Sequence, residues 1–162
     1  YVLGKMYREG KGVSKDYEKA YRLFKNAADN GSSEAQVDLG YAYESGQGIS
    51  SDIKRAIRYY RLAAEQGNQF AQYNLGNMYR LGRGISKDFQ KAAKWYRLAA
   101  NQGNAKAKKN LEYMKKQGSL KEIKRNERQV LKNKEKLNSI EKRKKVKSYK
   151  RIKKRIIIKA QE

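Results

Sequence analysis

The sequence repeats with a period of 36 residues, and this period constrains the fold more than any other feature. The dipeptide Leu-Gly occurs at residues 3–4, 39–40 and 75–76. Other residue types recur in the same register without an insertion, among them Tyr7, Tyr43, Tyr79, Asp16, Asp52, Asp88, Gly31, Gly67 and Gly103. The chain is therefore predicted to be built from copies of one structural element.

The spacing inside one repeat predicts two helices. Ala35, Leu39 and Tyr43 follow at steps of four, which predicts a first helix from Ser33 to Ser45. Asp52 is expected to start a second helix, and Gly67 to end it as a left-handed cap. One face of that second helix carries Ala56, Tyr60, Ala63 and Ala64.

A helical hairpin of this kind cannot bury its apolar face alone, so neighbouring hairpins are expected to stack. The chain contains no proline, which also favours helices throughout. We therefore predict an all-α solenoid of antiparallel helical hairpins.

These residues follow the pattern A-x-x-x-L-G-x-x-Y-x-x-G-x-G-[VI]-x-x-D-x-x-x-A-x-x-[WY]-x-x-x-A-A-x-x-G, which resembles the Sel-one-like repeat, a relative of the tetratricopeptide repeat. The resemblance implies a right-handed α-solenoid that acts as an adaptor for protein complexes, and many such proteins are bacterial.

The resemblance covers residues 1 to 118. In the fourth repeat Glu112 replaces the glycine and Lys115 replaces the tyrosine, which predicts a degenerate capping helix. The predicted parts are a partial repeat at 1–34, full repeats at 35–70 and 71–106, the capping helix at 107–118, and a Lys/Arg-rich tail at 119–162. The tail is predicted to be either helical or disordered.

The loop from Leu81 to Asp88, LGRGISKD, has the glycine spacing of a phosphate-binding turn before a helix. It lacks the preceding strand and the Lys-Ser/Thr ending of such a loop. Asp16, Asp52 and Asp88 would also occupy the start of each second helix, where a phosphate would sit. These loops are therefore predicted to be structural.

The composition excludes much catalytic chemistry. The chain contains no histidine and no cysteine, so it lacks the commonest general base and metal ligand. We predict no catalytic residue, no metal site and no cofactor. Some cysteine-rich relatives are described as binding or hydrolysing β-lactams, but this chain has no Cys and no His, and its serines cluster at predicted caps and turns.

The thirteen tyrosines suggest a platform on which nucleic-acid bases could stack. Tyr7, Tyr43, Tyr60, Tyr79 and Tyr96, however, occupy repeated positions on apolar faces, which predicts that they are core residues.

By resemblance to tetratricopeptide hairpins, the first helices would line the binding surface. Side chains there that lie off the packing stripe are the candidate peptide-binding residues, and the asparagines could clamp an extended peptide backbone. The alternative is that they are merely solvated. The candidates are Lys5, Asp38, Tyr41, Asn74, Asn77, Leu81, Asn110 and Tyr113.

The chain is strongly basic, with 40 Lys and Arg against 16 Asp and Glu, and a formal charge of +24. Residues 119–162 carry +13 and residues 1–118 carry +11. Matching cations on the second helices would align into a basic ridge on stacking, namely Arg22, Lys25, Arg58, Arg61, Lys94 and Arg97. The candidate cations of the tail are Lys142, Arg143, Lys144, Lys145, Arg151, Lys153, Lys154 and Arg155.

These features favour a non-enzymatic scaffold that binds an acidic protein or peptide, with a tail for electrostatic attachment. The alternative is attachment to nucleic acid or to an anionic membrane surface. The apolar runs are too short for a transmembrane segment. Because the chain opens on Tyr1 rather than Met, the sequence leaves open whether another segment precedes it. For the same reason it does not decide between a cytoplasmic and a secreted or periplasmic location.

Overall fold

The computed structural model describes residues 1–118, 125, 128–129 and 131–145, and it divides the chain into two compact units, Tyr1–Leu120 and Lys121–Glu162. The described residues of both units are helical or lie in turns and short connections. The helices of the first unit are α1 (Val2–Glu9), α2 (Tyr17–Asp29), α3 (Ser33–Ser45), α4 (Ile53–Glu65), α5 (Gln69–Leu81), α6 (Phe89–Asn101) and α7 (Ala105–Lys116). Each packs mainly against the helices before and after it in the chain, which confirms the predicted all-α solenoid.

The predicted helix starts are confirmed by their caps. Asp16, Asp52 and Asp88 each accept a hydrogen bond of 2.9 Å from the backbone N–H three residues further on. A carboxylate at this position accepts a hydrogen bond from a backbone N–H that has no partner within the helix, and the positive end of the helix dipole stabilises its negative charge. Gly67 follows α4 with a φ of +91°, as predicted. The loops are thus structural, and an aspartate already occupies the place at the start of each second helix where a bound anion would lie.

The two glycines of each loop have different tasks. The first, for example Gly46 with a φ of +74°, ends the first helix in a left-handed conformation. In the second and third loops, the second glycine allows two repeats to approach closely. A Cβ on Gly48 would lie 2.0 Å from the carbonyl oxygen of Tyr17, and a Cβ on Gly84 would lie 2.2 Å from Cγ2 of Ile53.

The glycine of each Leu-Gly dipeptide at the repeated positions 3–4, 39–40 and 75–76 lies in a first helix, where an aromatic ring of the second helix packs directly on its backbone. A Cβ at these glycines would lie 2.7 to 2.8 Å from the nearest ring carbon. The three pairs are Gly4 with Phe24, Gly40 with Tyr60, and Gly76 with Tyr96.

The alanine and tyrosine stripe forms the core between helices. Tyr43, Tyr60, Tyr79 and Tyr96 are buried, as predicted, and Tyr7 is half-buried. Small residues let the helices approach, so the larger rings can fill the remaining space at close-packed density.

The last helix of the first unit starts earlier than predicted. The sequence pattern places it from Ala107, whereas α7 begins at Ala105. The reason is Asn104, whose side chain accepts a hydrogen bond of 3.0 Å from the backbone N–H of Ala107 and so caps the helix.

In the second unit, residues 131–145 are helical, and the side chains of Lys142, Arg143, Lys144 and Lys145 are exposed. The other predicted tail cations, Arg151, Lys153, Lys154 and Arg155, lie outside the described residues. Within the described part of the chain, no helix combines the length and the apolar character needed to cross a membrane.

Candidate binding groove

The first helices α1, α3 and α5, with the start of α7, line one groove of about 940 Å³. This volume is at the upper end of the range for small-ligand pockets, so it suits a short stretch of peptide. Four of the eight residues predicted for peptide binding line it: Lys5, Asp38, Tyr41 and Asn74.

The other four predicted residues do not line this groove. Asn77 Oδ1 accepts hydrogen bonds from the Tyr96 hydroxyl at 2.6 Å and from Asn110 Nδ2 at 3.2 Å, so these two amides belong to a network between helices. Leu81 and Tyr113 are exposed outside the groove. A role in binding stays a prediction for all eight.

Aromatic side chains form the apolar part of the groove. Phe70 is 60% exposed, Tyr41 is 46% exposed, and Tyr1 and the half-buried Tyr73 lie in the same concavity. Single exposed apolar residues are ordinary on a protein surface, but a cluster of four aromatic rings in one concavity is typical of an interaction site.

The end of the groove between α1 and α3 is held by ionic contacts. Arg8 Nη1 donates to Asp38 Oδ1, and Arg8 Nη2 donates to Glu9 at 3.2 Å. Asp38 Oδ2 is buried and has no hydrogen-bond partner in the described part of the chain. Burial raises the pKa of the Tyr1 hydroxyl, and the negative charge of Asp38 raises it further. The Lys5 ammonium lies over the Tyr1 ring at 5.7 Å.

One repeated position displays three different side chains in the groove. Glu34, Phe70 and Lys106 are 36 residues apart, all exposed, and all line it. The position that follows each of them holds an alanine with no exposed surface. The motif search missed these three residues. The signal that could have found them is a variable residue beside an invariant one, read by comparing the repeats.

Glu34 and Lys106, the two charged residues at this repeated position, differ in their environment. A hydrogen bond from its own backbone N–H lowers the pKa of Glu34, and Ser32 lowers it further. The Ser32 hydroxyl donates to Glu34 at 3.2 Å. Lys106 has no acidic partner within 4.0 Å among the described residues. Lys5 also has no such partner, but it lies at the end of the groove that Glu34 and Asp38 line, whereas Lys106 has no acidic side chain beside it in the lining.

Buried glutamines fix the helices that carry these side chains. Gln66 Nε2 donates to Gln36 Oε1 at 2.9 Å, and Gln102 Nε2 donates in the same way to Gln72 Oε1 at 2.9 Å. Gln72 also donates to the carbonyl oxygen of Ala64 at 3.2 Å, which joins one repeat to the previous one. A site on elements held in this way is preorganised for binding.

The predicted basic ridge is neutralised at one end. On α2, Arg22 pairs with Glu18 and Lys25 pairs with Asp29, each at 2.7 Å. The equivalent cations on α4 and α6 are exposed, and no ion pair involves them in the described part of the chain: Arg58, Arg61, Lys94 and Arg97. Residues 1–68 hold 11 cations and 9 anions, whereas residues 69–118 hold 11 cations and 2 anions. The larger net positive charge of the repeat region therefore lies on residues 69–118.

The described residues contain no cluster of His, Cys, Asp or Glu that could hold a metal ion. The side chains that line the groove include aromatic rings, amides and charged groups, all of which can make non-covalent contacts with a ligand.

Stacked helical hairpins with capped second helices and a groove along the first helices define an α-solenoid repeat protein. The family model for the Sel1 repeat matches residues 1–32, 33–68 and 69–104. The chain therefore belongs to the Sel1 repeat family, as its motif predicted. Proteins of this family are generally scaffolds for protein–protein interactions and are typically not enzymes.

Solved structures support the same fold. A Sel1 repeat protein from Oxalobacter formigenes is 39% identical with a TM-score of 0.68, over 70% of this chain and 46% of its own. A protective antigen of uropathogenic Escherichia coli strains, which has an SLR fold, is 41% identical with a TM-score of 0.71, over 73% of this chain and 25% of its own. Cysteine rich protein B of Helicobacter pylori is 26% identical with a TM-score of 0.55, over 65% of this chain and 81% of its own.

The chain thus spans less than half of the first of these proteins and a quarter of the second. A search of curated proteins gives no match.

Proposed function

We propose that this protein is a non-enzymatic scaffold that captures an extended peptide segment of a partner protein in the groove of the first helices. The observation that carries the proposal is the cluster of exposed aromatic rings inside that groove. The family supports a scaffold role in general, and the groove supplies a place for the partner.

The groove offers both kinds of contact that an extended peptide needs. Phe70 and Tyr41 provide apolar surface for a side chain of the peptide. The amide of Asn74 makes no side-chain hydrogen bond in the described part of the chain, and it can serve a peptide group both as donor and as acceptor. Covering a ring that is 60% exposed contributes about 1 to 2 kcal/mol.

The test is a selection of random ten-residue peptides on the full chain, followed by affinity measurements with labelled peptides by fluorescence polarisation. We expect Phe70→Ala to weaken the selected peptides about tenfold. The matched control is Leu62→Ala, because Leu62 is an exposed apolar residue of α4 that does not line the groove. Selected peptides that bind Phe70→Ala as tightly as the parent protein would refute the proposal.

A second candidate function, nucleic-acid binding, is supported by the exposed cations of α4 and α6. A surface that neutralises phosphates binds with an affinity that falls steeply as salt rises. Titration of single-stranded RNA at several salt concentrations should give a steep slope that Arg58→Glu and Arg61→Glu reduce. Weak binding without salt dependence, or equal binding by anionic lipid vesicles alone, would count against this candidate.

A further inference from the structure

We infer that the partner segment of the groove carries a carboxylate beside its apolar anchor, so that the anchor lies on Phe70 and the carboxylate pairs with Lys106. This inference rests on the proposed peptide-binding function and adds the chemistry of the peptide. It identifies Phe70 and Lys106 as residues that determine specificity.

The charges of the groove favour an acid at one end only. At the α1–α3 end, two cations, Lys5 and Arg8, line the groove together with two anions, Glu34 and Asp38. Arg8 is paired with Asp38, and Lys5 has no acidic partner within 4.0 Å among the described residues. At the other end, Lys106 is the charged side chain that lines the groove, and the described residues offer it no acidic partner. The charges therefore cancel at the first end and leave one positive charge at the second, so an acidic ligand gains more at the second.

The repeat geometry places the anchor and the cation side by side. Phe70 and Lys106 occupy the same position in consecutive repeats, and both are exposed in the same groove. An extended segment that crosses the repeats meets both Phe70 and Lys106, and its direction decides which it meets first. Its apolar and acidic side chains are therefore expected to lie near one another along the segment.

The overall positive charge of residues 69–118 attracts any acidic molecule, so the test must separate local from long-range attraction. Long-range steering is screened by salt, with a Debye length of about 6 Å at 0.3 M. All affinities are therefore compared at that ionic strength.

The experiment uses labelled peptides that share one Leu or Phe anchor and differ in a single nearby residue, which is acidic, amide or basic. The parent protein should bind the acidic peptide about fivefold more tightly than the amide peptide. In Lys106→Glu the preference should reverse toward the basic peptide. This variant suits the start of a helix, since Glu34 occupies the equivalent position in α3.

The matched control is Lys108→Glu, which changes the net charge equally at an exposed residue of α7 that does not line the groove. It should keep the preference for the acidic peptide. An acid preference that survives Lys106→Glu, or that Lys108→Glu removes to the same extent, would overturn the inference. So would peptides that Phe70→Ala weakens but that show no acid preference. If Phe70→Ala weakens none of the peptides, the proposed function itself fails.

Discussion

Replacement of Gly76 by alanine should destabilise the protein, although alanine is the better helix former by about 1 kcal/mol. Gly76 lies within α5, and a Cβ there would lie 2.7 Å from two carbons of the Tyr96 ring. That ring has no exposed surface. Its hydroxyl donates to Asn77 at 2.6 Å and accepts from Arg80 at 3.1 Å, so the ring cannot move away without breaking these bonds.

The size of the effect follows from three contributions. Overpacking a close-packed site costs about 1 to 3 kcal/mol. Loss of one of the two hydrogen bonds of the Tyr96 hydroxyl adds about 1 kcal/mol. The helix propensity of alanine offsets about 1 kcal/mol of this, so the free energy of unfolding should fall by roughly 1 to 3 kcal/mol. Urea unfolding of the full chain, followed by circular dichroism, measures the change as a lower midpoint at an unchanged slope.

The control places Gly76→Ala in a Tyr96→Ala background. Without the ring the clash is absent, so the same substitution should there be neutral or stabilising, and the double-mutant cycle isolates the contact between the two residues. If Gly76→Ala alone leaves the urea midpoint unchanged or raises it, the close packing of ring on backbone does not limit stability, and the reasoning is wrong.

Two further predictions concern the loops and the tyrosines. Gly48→Ala should lower the urea midpoint more than Gly12→Ala. Both glycines have a φ near +75°, so each substitution costs about 1 kcal/mol in backbone strain. Only the Cβ at Gly48 would also collide with a carbonyl oxygen, and equal losses of stability would contradict this reasoning. Burial and the hydrogen bond to Tyr43 raise the pKa of Tyr21 from 10 to about 12, so the unfolded chain loses its proton first and stability should fall between pH 10 and 12. Tyr21→Phe should reduce that fall in unfolding experiments across this range, and an unchanged pH dependence would exclude Tyr21 as a cause.

The sequence predicts the helices well because their signals are local. The bounds Ser33 to Ser45 follow from the spacing of Ala35, Leu39 and Tyr43, and the aspartate caps can be recognised from residue type and position alone. The predicted start of α7, Ala107, lies two residues after the observed start, Ala105, because Asn104 caps this helix and the repeat pattern has no fixed capping residue at that position.

The binding surface is predicted only in part, because side-chain direction depends on how the repeats stack. Asn74 and Asn77 both lie off the packing stripe of α5, yet one lines the groove and the other accepts a hydrogen bond from Tyr96 of the next helix. No local feature of the sequence distinguishes the asparagine that lines the groove from the one that bonds to the next helix. The position of Tyr96 above Gly76, which brings its hydroxyl to Asn77, is set by contacts between helices.

The distribution of charge connects the two surfaces of the solenoid. Acidic residues of the first repeats neutralise nearby cations, for example Arg22 by Glu18, while Arg97 and Lys106 in the later repeats lack such partners in the described part of the chain. In the proposed complex, we therefore expect an acidic partner to gain most by binding where α6 and α7 meet, and Lys106 would bring this attraction into the groove that Phe70 lines. Long-range attraction would then raise the rate of encounter, while the contact with Lys106 would select the peptide that stays.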